Sequence, residues 1–436
     1  MFTQLRLKNF KAWCDNGADD TPITVDLAPV TILLGTNSSG KSSLLQSLLL
    51  LKQTVESPDR NIHLNLGGDE INDYFNFGHF KDVLSQGASS HQFEIGFNFR
   101  KPSDLSSKKN LDEGKFHAKY TEVSGATVIQ ELFLEAGEKS YKLIKGERGA
   151  YSVFANDETQ ELGKRKEYAP ERSIALSPLT IQWLSLDRSH AEDTSLAIRR
   201  ELENIAYLGP LRRKPERDYV WNRTKPGQLG VDGNHAITAL LASADSRSRD
   251  ASSIVNGVSK WLERMKIAEK LEVRPLGHSR YEIVVHKDGI EANLRDVGIG
   301  ISQVLPVLIL GYFVPQGATI LLEEPEIHLH PLAQSVLAEF FTEVSRDRHI
   351  QFIVETHSEH LFRRLQTLVA GEHISPKDCC LYFVEQKKGK ASLQSLTLDS
   401  YGRIQHWPDK FFGDTLGETR EQARYMFERQ KKENQK

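Results

Sequence analysis

The stretch Gly35-Thr36-Asn37-Ser38-Ser39-Gly40-Lys41-Ser42 has the form G-x-x-x-x-G-K-[ST]. An apolar run at 30–34 precedes it and reads as a buried strand, and residues 43–52 follow it and read as a helix. Strand, glycine-bearing loop and helix in that order are the setting a phosphate-binding loop needs. Glycines at both ends permit positive φ, so successive amide N–H groups turn inward around phosphate oxygens at a helix N-terminus. The candidate phosphate contacts are Asn37, Ser38, Ser39, Gly40, Lys41, Ser42 and Ser43. Lys41 would reach the β- and γ-phosphates, and the Ser42 hydroxyl would be a Mg2+ ligand.

The 436 residues, 39% hydrophobic and 26% charged, describe an ordinary globular chain with material for several domain-sized units. A net charge of -3 gives no global basic excess that would point to nucleic acid. Of three cysteines, Cys379 and Cys380 are adjacent in a segment that reads as a strand, where they point to opposite faces. A disulfide framework is therefore not expected, and a reducing cytoplasm fits. Residues 1–10 alternate polar and apolar rather than forming a signal peptide, and no apolar run reaches membrane-spanning length, so no membrane association is expected.

The chain divides into four sections. Residues 1–90 hold an alternating strand (Phe2, Leu5, Leu7, Phe10), the phosphate loop and its leucine-rich helix. Residues 91–187 read as an antiparallel β section, with strands at 92–99, 115–123, 127–134, 140–144 and 179–186. Residues 188–290 read as helical, at 195–205, 235–244 and 251–265, around a loop from Tyr207 to Pro215. From 291 to 436 the texture returns to α/β, with strands at 318–322 and 350–354, helices at 331–345 and 358–370, and a charged tail from 418 with helical pattern. No long heptad repeat occurs, so no coiled-coil arm is expected.

The second half supplies partners for the loop. Glu323 and Glu324 end an apolar strand, and the carboxyl ends of strands in an open α/β sheet are where ligands bind. One carboxylate would help hold Mg2+ while the next orients an attacking water, as in-line phosphoryl transfer requires. A second strand ends in Glu355-Thr356-His357-Ser358, and a histidine there can polarise the γ-phosphate and the water. Asp296-Val297-Gly298-Ile299-Gly300-Ile301-Ser302-Gln303 is a glycine-rich turn at the start of an apolar helix, either a second anion-binding device or an N-capped helix.

Together these residues, with a start Leu7-Lys8-Asn9-Phe10-Lys11, resemble an ABC-type ATPase of the SMC, RecF and OLD-like branch. The resemblance covers about 1–90 and 290–436. Pro325-Glu326-Ile327-His328-Leu329-His330-Pro331, the Tyr207–Arg213 loop, and 399–404 with Trp407-Pro408 and Phe411-Phe412 resemble, more narrowly, short prokaryotic AAA-family SMC-like ATPases without coiled coils, found in antiphage defence loci. The implied fold is an α/β P-loop ATPase head, two-lobed, with a mixed sheet and helices, an inserted antiparallel β section and a helical section. The implied mechanism is a homodimer or higher oligomer that sandwiches ATP. Lys41 and Ser42 of one subunit hold the phosphates and Mg2+, while Gly300 and Ser302 of the other close on the γ-phosphate. Glu324 is the implied hydrolytic base, His357 the switch residue, Glu323 the Mg2+-side carboxylate and Lys11 a further nucleotide contact. Gln86 is the choice for the glutamine-loop Mg2+ ligand, with Gln53 and Asn72 as alternatives and Arg60 as a further activating candidate. His328 and His330 fall in the loop that communicates between the two sites, a role favoured over metal binding because no third ligand is placed.

The function expected is an ATP-gated sensor or scaffold that controls a separate effector, a nuclease, in antiphage defence. No Asp-x-Asp follows Glu385, so the chain itself is not expected to cut DNA. The alternative is a RecF-like repair ATPase gripping DNA through Arg212-Arg213-Lys214, Lys164-Arg165-Lys166 and Lys108-Lys109.

Overall fold

The structure is a computed structural model and describes residues 1–14, 21–59, 62–69, 73–105, 111–146, 150–156, 158–160, 174–176, 188–245, 253–387, 389–404 and 421–426. Strands among them are numbered β1 to β18 in chain order. At the centre lies a mixed sheet in the order β10 (Ile205–Leu208), β15 (Thr319–Glu323), β16 (Gln351–Glu355), β3 (Val30–Gly35), β17 (Cys379–Lys387), β18 (Lys390–Ser395). The first five run parallel, and β18 returns antiparallel to β17. The strands that are distant in sequence are thus the neighbours in space. Register puts Glu323 beside Glu355, and Glu355 beside Leu33, so the carboxyl ends of β15, β16 and β3 finish together.

Period-two alternation sorts each central strand between two cores. Val30, Ile32 and Leu34, with Ile320, Leu322, Phe352 and Val354, join a cluster built with the helices Ala236–Asp245, Ser253–Arg264, Ile299–Phe313, Pro331–Arg348 and Glu359–Ala370. Leu33, Leu321 and Ile353 face the other way, toward the Lys41–Glu56 helix and a second sheet. Cys379 lies in the first core while Cys380 packs against the second, as expected of adjacent strand residues.

The second sheet is antiparallel, in the order β2 (Ile23–Asp26), β1 (Phe2–Lys8), β4 (Gln92–Arg100), β5 (Glu113–Val123), β6 (Ala126–Ala136), β7 (Lys139–Lys145), β8 (Tyr151–Ala155), β9 (Glu158–Gln160). The boundary read near residue 90 falls inside this sheet, because β1 pairs with β4, Leu5 opposite Phe97. The apolar face of β1 is buried by aromatics contributed from beyond residue 90, with Phe2 edge-on to Phe97 at 5.1 Å and Phe97 stacked on Phe116 at 5.0 Å. Buried Gln351 ties the two sheets: its amide accepts from Phe2 N at 2.8 Å and donates to Phe2 O at 2.7 Å and to Ala28 O at 3.0 Å.

Between 188 and 293 the three expected helices are present, and a third sheet joins them. It contains β11 (Tyr219–Val220), β13 (Arg280–Lys287), β12 (Lys270–Gly277) and β14 (Ile290–Asn293). The Tyr207 stretch begins as strand β10 rather than as a loop. The strand read at 179–186, Arg60, Asn72, the Lys108-Lys109 and Lys164–Lys166 clusters, and the aromatics of 407–412 lie outside the described residues. No helix among the described residues is long and apolar enough to cross a membrane.

Candidate functional site

The phosphate loop runs from the end of β3 into the Lys41–Glu56 helix. Gly35 has φ 150°, and a Cβ there would lie 2.0 Å from Val384 O; Gly40 has φ 106°. Trp13 is fully buried and donates from Nε1 to Gly40 O at 3.2 Å, which anchors the loop to the second sheet. The helix carries no side-chain cap and no acid in its first turn, so its free N–H groups and positive end are left for an anion. Thr36, Asn37 and Ser38 are exposed, while Ser39 is buried with its hydroxyl unpartnered.

Lys41 is buried, and its ammonium donates to Thr36 O at 2.7 Å and Gly35 O at 3.3 Å, with Glu355 Oε1 at 3.6 Å. Burial lowers its pKa, opposed mainly by Glu355. The lysine therefore waits at the strand ends, folded onto the loop's own carbonyls. Glu323 is buried beside Glu355 and accepts from the Tyr207 hydroxyl at 2.9 Å. Desolvation first, and then Glu355, push the Glu323 carboxyl up to about 7. Desolvation also raises Glu355, opposed by a hydrogen bond with Ser42 and by Lys41. Two buried carboxyl groups that repel each other, next to a serine hydroxyl and with Glu355 Oε2 unpartnered, form an oxygen donor set that fits a hard divalent cation. Glu355 was not singled out from the sequence. The signal available was its place at the end of an apolar strand next to His357, and only the β15–β16 register shows which carboxylate it faces.

Glu324 turns outward. Its backbone is left-handed at φ 46°, its N–H donates to Glu355 O at 2.8 Å, and its Oε1 lies 3.8 Å from His357 Nε2. Both side chains are about one third exposed, at the margin of a cavity of about 260 Å³ lined also by Glu326, His328 and Gln334. Burial and then Lys41 lower the His357 pKa and outweigh Glu324, which raises it, so the net effect favours the neutral imidazole. The arrangement is a partly exposed carboxylate and imidazole in front of a buried lysine and two cation-ready carboxylates.

Other expected residues divide. Lys11, at φ 50°, donates to Gln46 on the phosphate-loop helix at 3.0 Å and sits 4.8 Å over the Phe77 ring. Gln86 is exposed in the turn after Leu84. Gln53 is committed elsewhere: its Oε1 accepts from the Tyr74 and Phe75 amides and its Nε2 donates to Asn65 O. Ser302 is buried with its hydroxyl donated to Ile299 O at 2.8 Å, so it faces its own helix in this subunit. What the Ile299–Phe313 helix presents outward is its uncapped N-terminus, Gly298 and Ile299. Gly300 lies against the next loop, where a Cβ would be 2.8 Å from His328 O. His328 is exposed at φ 62°, and His330 caps the Pro331–Arg348 helix, Nδ1 accepting from Leu332 N at 3.4 Å. Arg212 is buried and donates to Glu323 O and Glu324 O, which withdraws it from the basic cluster read as a DNA contact, and Arg213 pairs with Glu216 at 2.9 Å.

Residues 30–363 match the family described as "AAA domain, putative AbiEii toxin, Type IV TA system". Residues 374–422 match a second family, described as a protein of unknown function. No curated protein sequence matches the chain. Solved structures similar to it include the Smc head bound to the C-winged helix domain of ScpA, at 13% identity and TM-score 0.48 over 91% of this chain and 98% of that one. They also include the SMC head domain from Thermotoga maritima, at 13% identity and TM-score 0.41 over 90% and 98%. A third is the Smc head domain with an extended coiled coil bound to the C-terminal domain of ScpA derived from Pyrococcus furiosus, at 12% identity and TM-score 0.47 over 91% and 96%.

Proposed function

We propose that this chain, which belongs to that AAA-domain family, hydrolyses ATP in a Mg2+-dependent reaction between two copies of itself and passes the resulting change of state to a separate effector protein. The observation that carries the reading is the alignment of Lys41, Glu323, Glu355, Glu324 and His357 at the ends of three adjacent strands. ATP phosphates arriving at the helix N-terminus would take the Lys41 ammonium from the Thr36 carbonyl. Ser42, Glu323 and Glu355 would hold Mg2+, which when bound neutralises charge on the phosphate oxygens. Glu324 would orient and deprotonate a water, and the neutral His357 would donate a hydrogen bond toward the transferred group.

Dimerisation is supported by the second uncapped helix N-terminus. Gly298 and Ile299 offer amide N–H groups and an apolar surface to a partner's nucleotide, and Gly300 touches the His328 loop that would carry the signal between sites. The family description names a putative AbiEii toxin of a Type IV TA system, which supports a role in prokaryotic defence; in this reading the effector, a nuclease, is a separate chain.

ATP turnover and particle mass should be measured for wild type, Lys41→Ala and Glu324→Gln with and without Mg2+. Lys41→Ala is expected to lose nucleotide binding. Glu324→Gln is expected to bind ATP, to hydrolyse at least about a hundredfold more slowly, and to accumulate as a dimer. Turnover unchanged in both variants would reject the site.

A further inference from the structure

The site as described leaves Arg212 without a role. It lies in the coil after β10 with Leu211 on one side, 84% exposed, and Arg213 on the other, yet is itself only 7% exposed. Its Nη2 donates to Glu323 O at 3.0 Å and to Glu324 O at 3.2 Å. Nε and Nη1 are buried without hydrogen-bond partners, and so is Glu326 Oε2. The other oxygen of Glu326 accepts from His357 N at 2.8 Å.

A guanidinium is a rigid planar fork, and here one of its amino groups bridges two successive carbonyls; a lysine ammonium is a point donor on a flexible stem. The carbonyls it bridges belong to the turn in which Glu324 takes a left-handed backbone. For a residue with a Cβ that conformation is strained and persists only where surrounding contacts over-determine it. Three contacts do so: Glu324 N to Glu355 O, Ile327 N to Glu324 O, and Arg212 to the two carbonyls. A buried cation held by neutral carbonyls alone is poorly compensated. Burial lowers the Arg212 pKa to about 10, opposed most by Glu326, whose own carboxyl is pushed up by burial.

We infer that Arg212 is a positioning residue for hydrolysis. It holds the Glu323–Glu324 turn so that the Glu324 carboxylate faces His357, and Glu326, two residues on in the same turn, holds the His357 backbone through its Oε1. The inference rests on the ATPase reading above and adds to it a residue that acts through the backbone of Glu323 and Glu324.

The test is steady-state kcat and KM for ATP, with nucleotide affinity measured separately by a fluorescent ATP analogue, for wild type, Arg212→Gln, Arg212→Lys and Glu326→Gln. Wild-type turnover is the control for the ATPase reading itself: its absence sinks that reading, whereas the comparisons below concern Arg212 alone. Arg212→Gln and Glu326→Gln are expected to lower kcat at least about tenfold while the affinity changes by less than about threefold, and Arg212→Lys to recover only part of the loss. A kcat within about twofold of wild type in Arg212→Gln, or equal losses in kcat and affinity, overturns the inference. If the Arg212 variants do not fold, as judged by thermal melting, Glu326→Gln decides alone by the same two criteria.

Discussion

Replacing Glu323 by Gln should make the nucleotide-free, metal-free protein more stable at alkaline pH while removing its response to Mg2+. The glutamine keeps the shape and an acceptor for the Tyr207 hydroxyl, which lies 2.9 Å from Oε1, and removes the charge. In the folded chain the Glu323 carboxyl titrates at about 7 against an ordinary 4.5, so it binds its proton more tightly folded than unfolded. Its contribution to stability is therefore complete below about pH 4.5 and is lost as pH rises through about 7. At about 1.4 kcal/mol for each pH unit, the interval corresponds to about 3 kcal/mol of instability in wild type at pH 8 that the variant does not carry. Relief of repulsion on Glu355 acts in the same direction. The assay is urea unfolding of both proteins in EDTA at pH 5 and pH 8, with wild type and variant compared at each pH. The gap between the two proteins should widen toward the variant by about 2.5 kcal/mol from pH 5 to pH 8, most of the full effect, and Mg2+ should restabilise wild type alone. A gap that is the same at both pH values, or a variant less stable than wild type at pH 8, would refute the view of Glu323 and Glu355 as an electrostatically strained, cation-ready pair.

Gly35→Ala places a Cβ 2.0 Å from Val384 O at a φ that L side chains rarely adopt, so β3 and β17 must separate. Calorimetry should show a loss of several degrees in Tm, and nucleotide binding should fall with it. Trp13→Phe removes the indole donor to Gly40 O from a fully buried position; a fluorescent nucleotide titration should show weaker binding, with a stability loss of about 1–3 kcal/mol. Glu94 lies on the outer face of the second sheet; desolvation would raise its pKa, but His117 and Lys119 hold it at about 2. Being depressed, it stabilises the fold above about pH 4.5 and loses this as pH falls toward 2. Glu94→Gln should therefore cost on the order of 1–2 kcal/mol at pH 7, the full shift being discounted for solvent screening, and progressively less in acid, read by urea unfolding across pH.

The local signals that succeeded are those in which one segment contains its own physics. The apolar run of β3, the glycines of the loop and the leucine-rich helix follow each other in sequence, so the loop was legible without a structure. The same is true of β15 and β16, whose apolar runs end in carboxylates. Glu355 was in view but without a role, because its chemistry is created by Glu323, which lies beside it only through parallel pairing across an intervening helix. Ser302 matches the sequence pattern of an anion-binding serine, yet its hydroxyl is satisfied within its own turn. Arg212 reads as one of three consecutive basic residues and is withdrawn into the protein, because alternation after β10 points it inward while its neighbours face solvent.

Sequence by itself determined the strand–loop–helix around residues 30–52, pointed for its partners to two strands more than 280 residues away, and singled out Lys41, Ser42, Glu323, Glu324 and His357 as the candidate groups. Tertiary structure alone decided that β1 closes onto β4, that Glu323 and Glu355 share one buried space, and that Arg212 clamps the turn bearing Glu324. The reason lies in the range of the interactions. Periodicity, glycine conformation and helix polarity act within a few residues and leave their mark in the order of amino acids. Strand register, desolvation and the meeting of buried charges depend on segments that become neighbours only when the two cores form.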